Sequence, residues 1–112
     1  MKIIEEQTSL QLLWDSREID FTELMKVVVD IERKILAIDA EMHADLEETL
    51  LENGSEQKNL WGANVYPGKT LNDLIEYTSF INIRPNQNNR SMEIVSETVR
   101  NSVKEIILDL LK

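Results

Sequence analysis

The stretch Met25-Lys26-Val27-Val28-Val29-Asp30-Ile31-Glu32-Arg33-Lys34-Ile35-Leu36-Ala37-Ile38 decides how this chain folds. Its first half is dense in β-branched side chains, which are stiff in a helix and pack well on a pleated surface. The polar triplet Glu32-Arg33-Lys34 interrupts it, and Ile35, Leu36 and Ile38 resume beyond. The pattern predicts a β-hairpin with its turn near Arg33. A two-residue turn at Arg33-Lys34 pairs Ile31 with Leu36 and Val29 with Ile38. Those four side chains then share one apolar face, and Val28, Asp30, Ala37 and Asp39 share the other.

The flanking segments extend this into a fold class. Thr8 or Ser9 caps a short helix carrying Leu10, Leu13 and Trp14. His43 to Asn53 reads as a helix that buries Leu46 and Leu50, with Leu51 beside them. Asp45, Glu47 and Glu48 lie near its positive end, and Gly54 follows as a left-handed stop. Leu60 to Tyr66 predicts a third strand, ended by Pro67-Gly68. Ile75 to Arg84 predicts a fourth, ended by Pro85. From Ser96 onward Val99, Val103, Ile106, Ile107 and Leu110 form an amphipathic helical stripe. The expected architecture is α+β, a two-layer sandwich. It has a four-stranded, mainly antiparallel sheet of two hairpins and three helices, in the order α-ββα-ββα. The two halves share element order but almost no residue identity.

Composition bounds the function classes. The 112 residues are 42% hydrophobic and 29% charged, which suits a single globular domain. There is no cysteine, so thiolate catalysis, disulfides and cysteine-zinc sites are excluded. The acidic turn after Met1-Lys2-Ile3-Ile4 does not suit a signal peptide, and no apolar run approaches the ~20 residues needed to span a membrane. A cytoplasmic address is expected. Twenty-one acids against twelve bases give a net charge of −9, which disfavours nucleic acid and anionic membranes as partners. The charge is uneven. Glu41 to Glu56 holds acids and no Lys or Arg, whereas bases gather between Arg84 and Lys104. This predicts either a solvated acidic helix face or two regions that meet, within one chain or across a dimer.

Two constellations could carry chemistry. In Asp39-Ala40-Glu41-Met42-His43-Ala44-Asp45 the polar residues stand two apart. If the strand continues through them, Asp39, Glu41, His43 and Asp45 line one face and suit a divalent cation. The spacing fails as an EF-hand, and a single histidine cannot make a HExxH-type pair. The plainer reading is a helix N-terminus decorated with acids, with His43 as a cap or a packed side chain. The second constellation is the polar sheet face. Strand alternation places Asp30, Asn64, Asn82 and Arg84 there together, with Asn88 and Arg90 in the loop beyond and Val28 and Phe80 mixed among them. Such a mixture suits a ligand pocket or an interface; the alternative is an ordinary solvated face. Nucleophilic catalysis lacks a GxSxG elbow, a cysteine and a second histidine.

The runs His43-Ala44-Asp45, Leu50-Leu51-Glu52-Asn53-Gly54-Ser55, Leu60-Trp61-Gly62-Ala63-Asn64-Val65-Tyr66-Pro67, Ile81-Asn82-Ile83-Arg84-Pro85 and Asn89-Arg90-Ser91 resemble a family of small prokaryotic proteins known only as a domain of unknown function. The resemblance covers most of the chain from about Val27 and implies a free-standing cytosolic domain. It transfers no activity, cofactor or catalytic residue.

Three functional readings follow. The first is a module that self-associates as a homodimer or binds a protein partner. The second is a small enzyme or anion-binding protein, with His43 and Arg84 as catalytic groups and Asp30, Asn64, Asn82, Asn88 and Arg90 holding the ligand. The third is a divalent-cation site at Asp39, Glu41, His43 and Asp45.

Overall fold

A computed structural model describes residues 1–112. The hairpin forms, around a longer loop than the two-residue turn expected. Strand β2 (Met25–Asp30) pairs antiparallel with β3 (Ile35–Ile38), Asp30 opposite Ile35 and Val27 opposite Ile38. Asp30 builds the four-residue connection. Its Oδ1 accepts from the Glu32 and Arg33 amides, both at 2.9 Å. Its carbonyl accepts from the Lys34 amide at 2.9 Å, and Lys34 takes a left-handed φ of 58°. Asp and Asn favour such turns because a short side-chain acceptor reaches the backbone two residues on. Val29 now pairs with Leu36 instead of Ile38. This shift is even, so each side chain keeps its face.

The sheet has five antiparallel strands in the order β1-β3-β2-β4-β5, one more than expected. The addition is β1 (Lys2–Ile4), which is too short to show an alternation and becomes a strand by pairing with β3. Strand β4 (Leu60–Val65) forms where the apolar alternation predicts a strand, and it lies against β2. The expected fourth strand is cut back to β5 (Ile75–Glu76). Beyond it Ser79 caps a 3-10 turn, Phe80–Asn82, by accepting from the Ile81 amide at 3.3 Å. A second such turn, Pro85–Gln87, ends on Asn88 at φ 60°. Local side-chain hydrogen bonds from Ser and Asn outcompete the strand that the apolar residues alone suggest.

There are four α-helices, not three: α1 (Leu10–Asp15), α2 (His43–Glu52), the single-turn α3 (Leu71–Leu74) and α4 (Glu97–Leu110). Ser9 and Ser96 are the N-caps of α1 and α4, each accepting an amide at 3.2 Å, and Gly54 stops α2 at φ 104°. The larger correction concerns layers. Val27, Val29, Leu36, Ile38, Trp61 and Ala63 form one core with α1 and α4. On the opposite face Val28, Ile35, Ala37 and Leu60 lie under Leu46 and Leu50 of α2. The sheet is therefore covered on both faces, and two layers become three. All of β3 and nearly all of β2 are buried, which is how a short continuous apolar run reads when neither face meets water. No helix is long and apolar enough to cross a membrane.

Candidate functional site

The supposedly wet face is therefore a buried layer, and most of its polar residues serve the backbone. Strand β5 covers only the Asn64–Val65 end of β4, so the Gly62 peptide would lack an edge partner. Asn82, fully buried, supplies one: its Oδ1 accepts from the Gly62 amide at 2.8 Å and its Nδ2 donates to the Gly62 carbonyl at 2.9 Å. One carboxamide stands in for a strand. The approach requires glycine, because a Cβ at residue 62 would fall 2.5 Å from Ser79 Cβ.

Arg84 continues the same edge. It is 6% exposed and donates to the carbonyls of Ile81 (3.0 Å), Gln57 (2.9 Å) and Leu60, with its guanidinium over the Trp61 ring. Its counter-charge is Glu47 on α2, at 3.6 Å. Burial pulls the Arg84 pKa down and Glu47 opposes that. The acidic and basic segments thus meet within one chain at this pair. Asn89 closes the loop. Its Nδ2 reaches the carbonyls of Asn82 (2.8 Å) and Glu93 (2.9 Å), and its Oδ1 accepts from the Val95 amide (2.9 Å). The sequence reading passed over Asn89, although its neighbours Asn88 and Arg90 were singled out. Those two are exposed and do not close over the face.

The other expected residues also separate. Asp30 is fully buried inside its turn, with Oδ2 unpartnered. The metal comb breaks because α2 begins at His43 and the strand ends before it. Asp39 sits at φ 75° and accepts from the Glu18 (2.8 Å) and Ile19 (3.1 Å) amides, while Glu41 and Asp45 are exposed. No three His, Asp or Glu side chains come together to hold a metal ion.

His43 does occupy an open site, with the buried Asn64 beside its ring. A cleft of about 200 Å³ lies between the start of α2 and the Ser79–Ile81 turn. Lys26 stands on one side, Met42 and Phe80 on its rim, and His43 within it. The half-buried His43 ring donates from Nε2 to the Ala63 carbonyl at 2.8 Å. A carbonyl can only accept, so Nε2 carries the proton and Nδ1 the lone pair of the neutral ring. Burial lowers the His43 pKa, with Lys26 adding to the effect; the Ala63 carbonyl and the Asn64 carboxamide oppose it. Asn64 donates to Glu76 Oε1 at 2.8 Å, which also accepts from the Tyr66 hydroxyl at 3.0 Å. Burial and Glu76 together raise the Tyr66 pKa.

The lowered His43 pKa fixes the sign of a pH effect. Between the unfolded value near 6.5 and the lower folded value, the unfolded chain binds more protons. The contribution of His43 to stability is therefore complete above about pH 6.5 and declines as pH falls. Urea unfolding of wild type and His43→Gln at pH 7.5 and 5 is expected to show the variant losing less stability on acidification. Equal losses would refute the assignment.

The chain belongs to the family described as protein of unknown function (DUF5674), whose model matches residues 2–110. No curated protein and no solved structure is significantly similar to it.

Proposed function

Within a family that carries no assigned activity, we propose that this chain is a protein-binding module, and in its simplest form a self-associating one, whose working surface is the His43 cleft. The observation that supports it most is at the rim. Phe80 is 76% exposed and Met42 56% exposed, side by side around a half-buried imidazole. Exposed aromatic and methionine side chains flanking a recess resemble the anchors of interfaces, where a few such residues dominate the binding energy. At about 200 Å³ the cleft is smaller than the usual 300–1,000 Å³ of small-molecule sites, and it suits a single inserted side chain. No Asp or Glu lines it, so the net charge of −9 opposes association only at longer range, where salt screens it.

The experiment is sedentration-equilibrium or light-scattering mass measurement across micromolar concentrations. A dimeric mass is expected, strengthening with salt. Phe80→Glu is expected to weaken association by about 30-fold or more, the size of a hot-spot loss. A monomeric mass throughout would exclude self-association. The enzyme reading loses its anion clamp, since Arg84 is bound to main-chain carbonyls and Glu47.

A further inference from the structure

The outer face of α2 is divided between charge and apolar surface. Glu41, Asp45, Glu48 and Glu52 are all exposed and recur at intervals of four, three and four residues. That spacing sets them in one stripe, which starts beside the His43 cleft and runs along the helix. None of them takes part in an ion pair. Like charges at these spacings repel, and no base within the chain offsets them. Beside the stripe the flank of α2 is apolar. Ala44 and Leu51 share it, two helical turns apart, and both are exposed. Between them Glu47 turns inward to Arg84, so this flank faces the turns that carry Phe80 and Ile83. Of the eight large apolar side chains that the protein exposes, four therefore border one seam between α2 and those turns: Met42, Leu51, Phe80 and Ile83. The seam opens into the His43 cleft at Ala44 and Phe80.

Monomeric proteins seldom leave a contiguous apolar patch uncovered, and an apolar seam edged by one sign of charge fits one kind of partner. We propose that this seam docks a short, basic, amphipathic helix of another protein. One of its apolar side chains enters the His43 cleft and others cover Leu51 and Ile83. Its Lys or Arg side chains lie against Glu41, Asp45, Glu48 and Glu52. A helix laid in a groove is read through apolar anchors at helical spacing, which is the spacing of Ala44 and Leu51. No carboxylate lines the cleft, and its one base, Lys26, holds its ammonium over the Phe21 ring at 5.3 Å. The cleft thus takes the apolar anchor and the stripe takes the bases. A second copy of this chain does not satisfy the stripe, because two such faces repel. The net charge of −9 instead draws a basic segment in, and the stripe fixes its register. The inference rests on the His43 cleft being the working surface, and it names the partner chemistry that surface recognises.

The test is a titration of the full-length, isotope-labelled protein with a synthetic amphipathic leucine–lysine helix, followed by amide NMR. Saturable shifts confined to α2 and the Ser79–Arg84 turns are expected, with a Kd in roughly the micromolar range. Added salt should weaken this binding, whereas it strengthens self-association, so the two events are told apart by the sign of their salt dependence. The same peptide with glutamate in place of lysine, and a lysine peptide without leucine, should each bind at least about tenfold more weakly. Glu48→Lys with Glu52→Lys should weaken binding about tenfold, and Phe80→Ser by a similar factor. Glu105→Lys with Asp109→Lys changes the net charge equally. Those positions are exposed on α4, across the sheet from α2, and the affinity should stay within about twofold. Equal affinity for the glutamate peptide, equal losses from the α2 and α4 reversals, or unchanged affinity in Phe80→Ser would overturn the proposal. A strictly monomeric protein that binds the peptide in this way would uphold it while removing self-association. A dimer that the peptide neither shifts nor dissociates would overturn it alone.

Discussion

Asn82→Ala is expected to lower the free energy of unfolding by about 3–5 kcal/mol, the combined cost of leaving two buried polar groups without partners. The side chain is fully buried and makes hydrogen bonds to both polar groups of the Gly62 peptide and to the Met92 carbonyl. Removing it orphans the Gly62 N–H and carbonyl, while the Met92 carbonyl keeps the Ser79 amide at 3.0 Å. Asn82→Asp is expected to be at least as harmful. It keeps the acceptor for the Gly62 amide but turns a carboxylate oxygen toward the Gly62 and Met92 carbonyls. Out of a total near 5–15 kcal/mol for an ordinary domain, either change should move the urea midpoint far down with little change in slope. A loss below about 1 kcal/mol would show that the Gly62 edge tolerates solvent.

Arg84→Ala is expected to cost a similar amount, about 3–5 kcal/mol, for a different reason. It leaves the Glu47 carboxylate, whose side chain is 16% exposed, without its counter-charge. It also leaves the Ile81 and Leu60 carbonyls without a donor, while the Gln57 carbonyl keeps the Leu60 amide. Lysine is a poor replacement, because a single ammonium cannot reach three carbonyls and stack over Trp61 as a planar fork does. The two costs can be separated. In a Glu47→Leu background Arg84→Ala should cost about 1–2 kcal/mol less than in the wild type, since the buried charge is already gone. Equal costs in both backgrounds would mean that Glu47 is solvated and that Arg84 acts on the backbone alone.

These two residues show where sequence reading reached the right positions for the wrong role. Asn82 and Arg84 stood out because strand alternation places them on one face with Asp30 and Asn64, where Asn is poor in strands and the Arg84 fork suits an anion. In the fold both side chains make several hydrogen bonds to main-chain groups. Their duty is structural, because the segment holding them leaves the sheet after Glu76 and folds back over the β4 edge. Asn64 and His43 were also singled out; His43 lines the open cleft and Asn64 is hydrogen-bonded to it from behind. Lys26 and Ser79 were passed over. Lys26 is one charge in a strand, Ser79 one hydroxyl in an expected strand, and neither has a spacing that marks a ligand. Met42 was quoted only as a spacer, yet its place at the N-cap is what leaves α2 uncapped.

By itself the sequence determined what depends on near neighbours. The α+β class, the β2–β3 hairpin, the helix starts at Thr8 or Ser9 and near Ser96, the left-handed Gly54 and the buried stripe of α4 all follow from local propensity and periodicity. Tertiary structure decided what depends on partners distant in the chain. Strand β1 exists because β3 offers it an edge, and the second face of the sheet is dry because α2 lies on it. The Gly62 edge is completed by an amide twenty residues away. Strand alternation states which side chains share a face, but not what covers that face. Here α2 and the Ser79–Asn89 turns cover it, so the polar residues read as a working surface became the internal hydrogen-bonding of the core. The opening they leave is at His43.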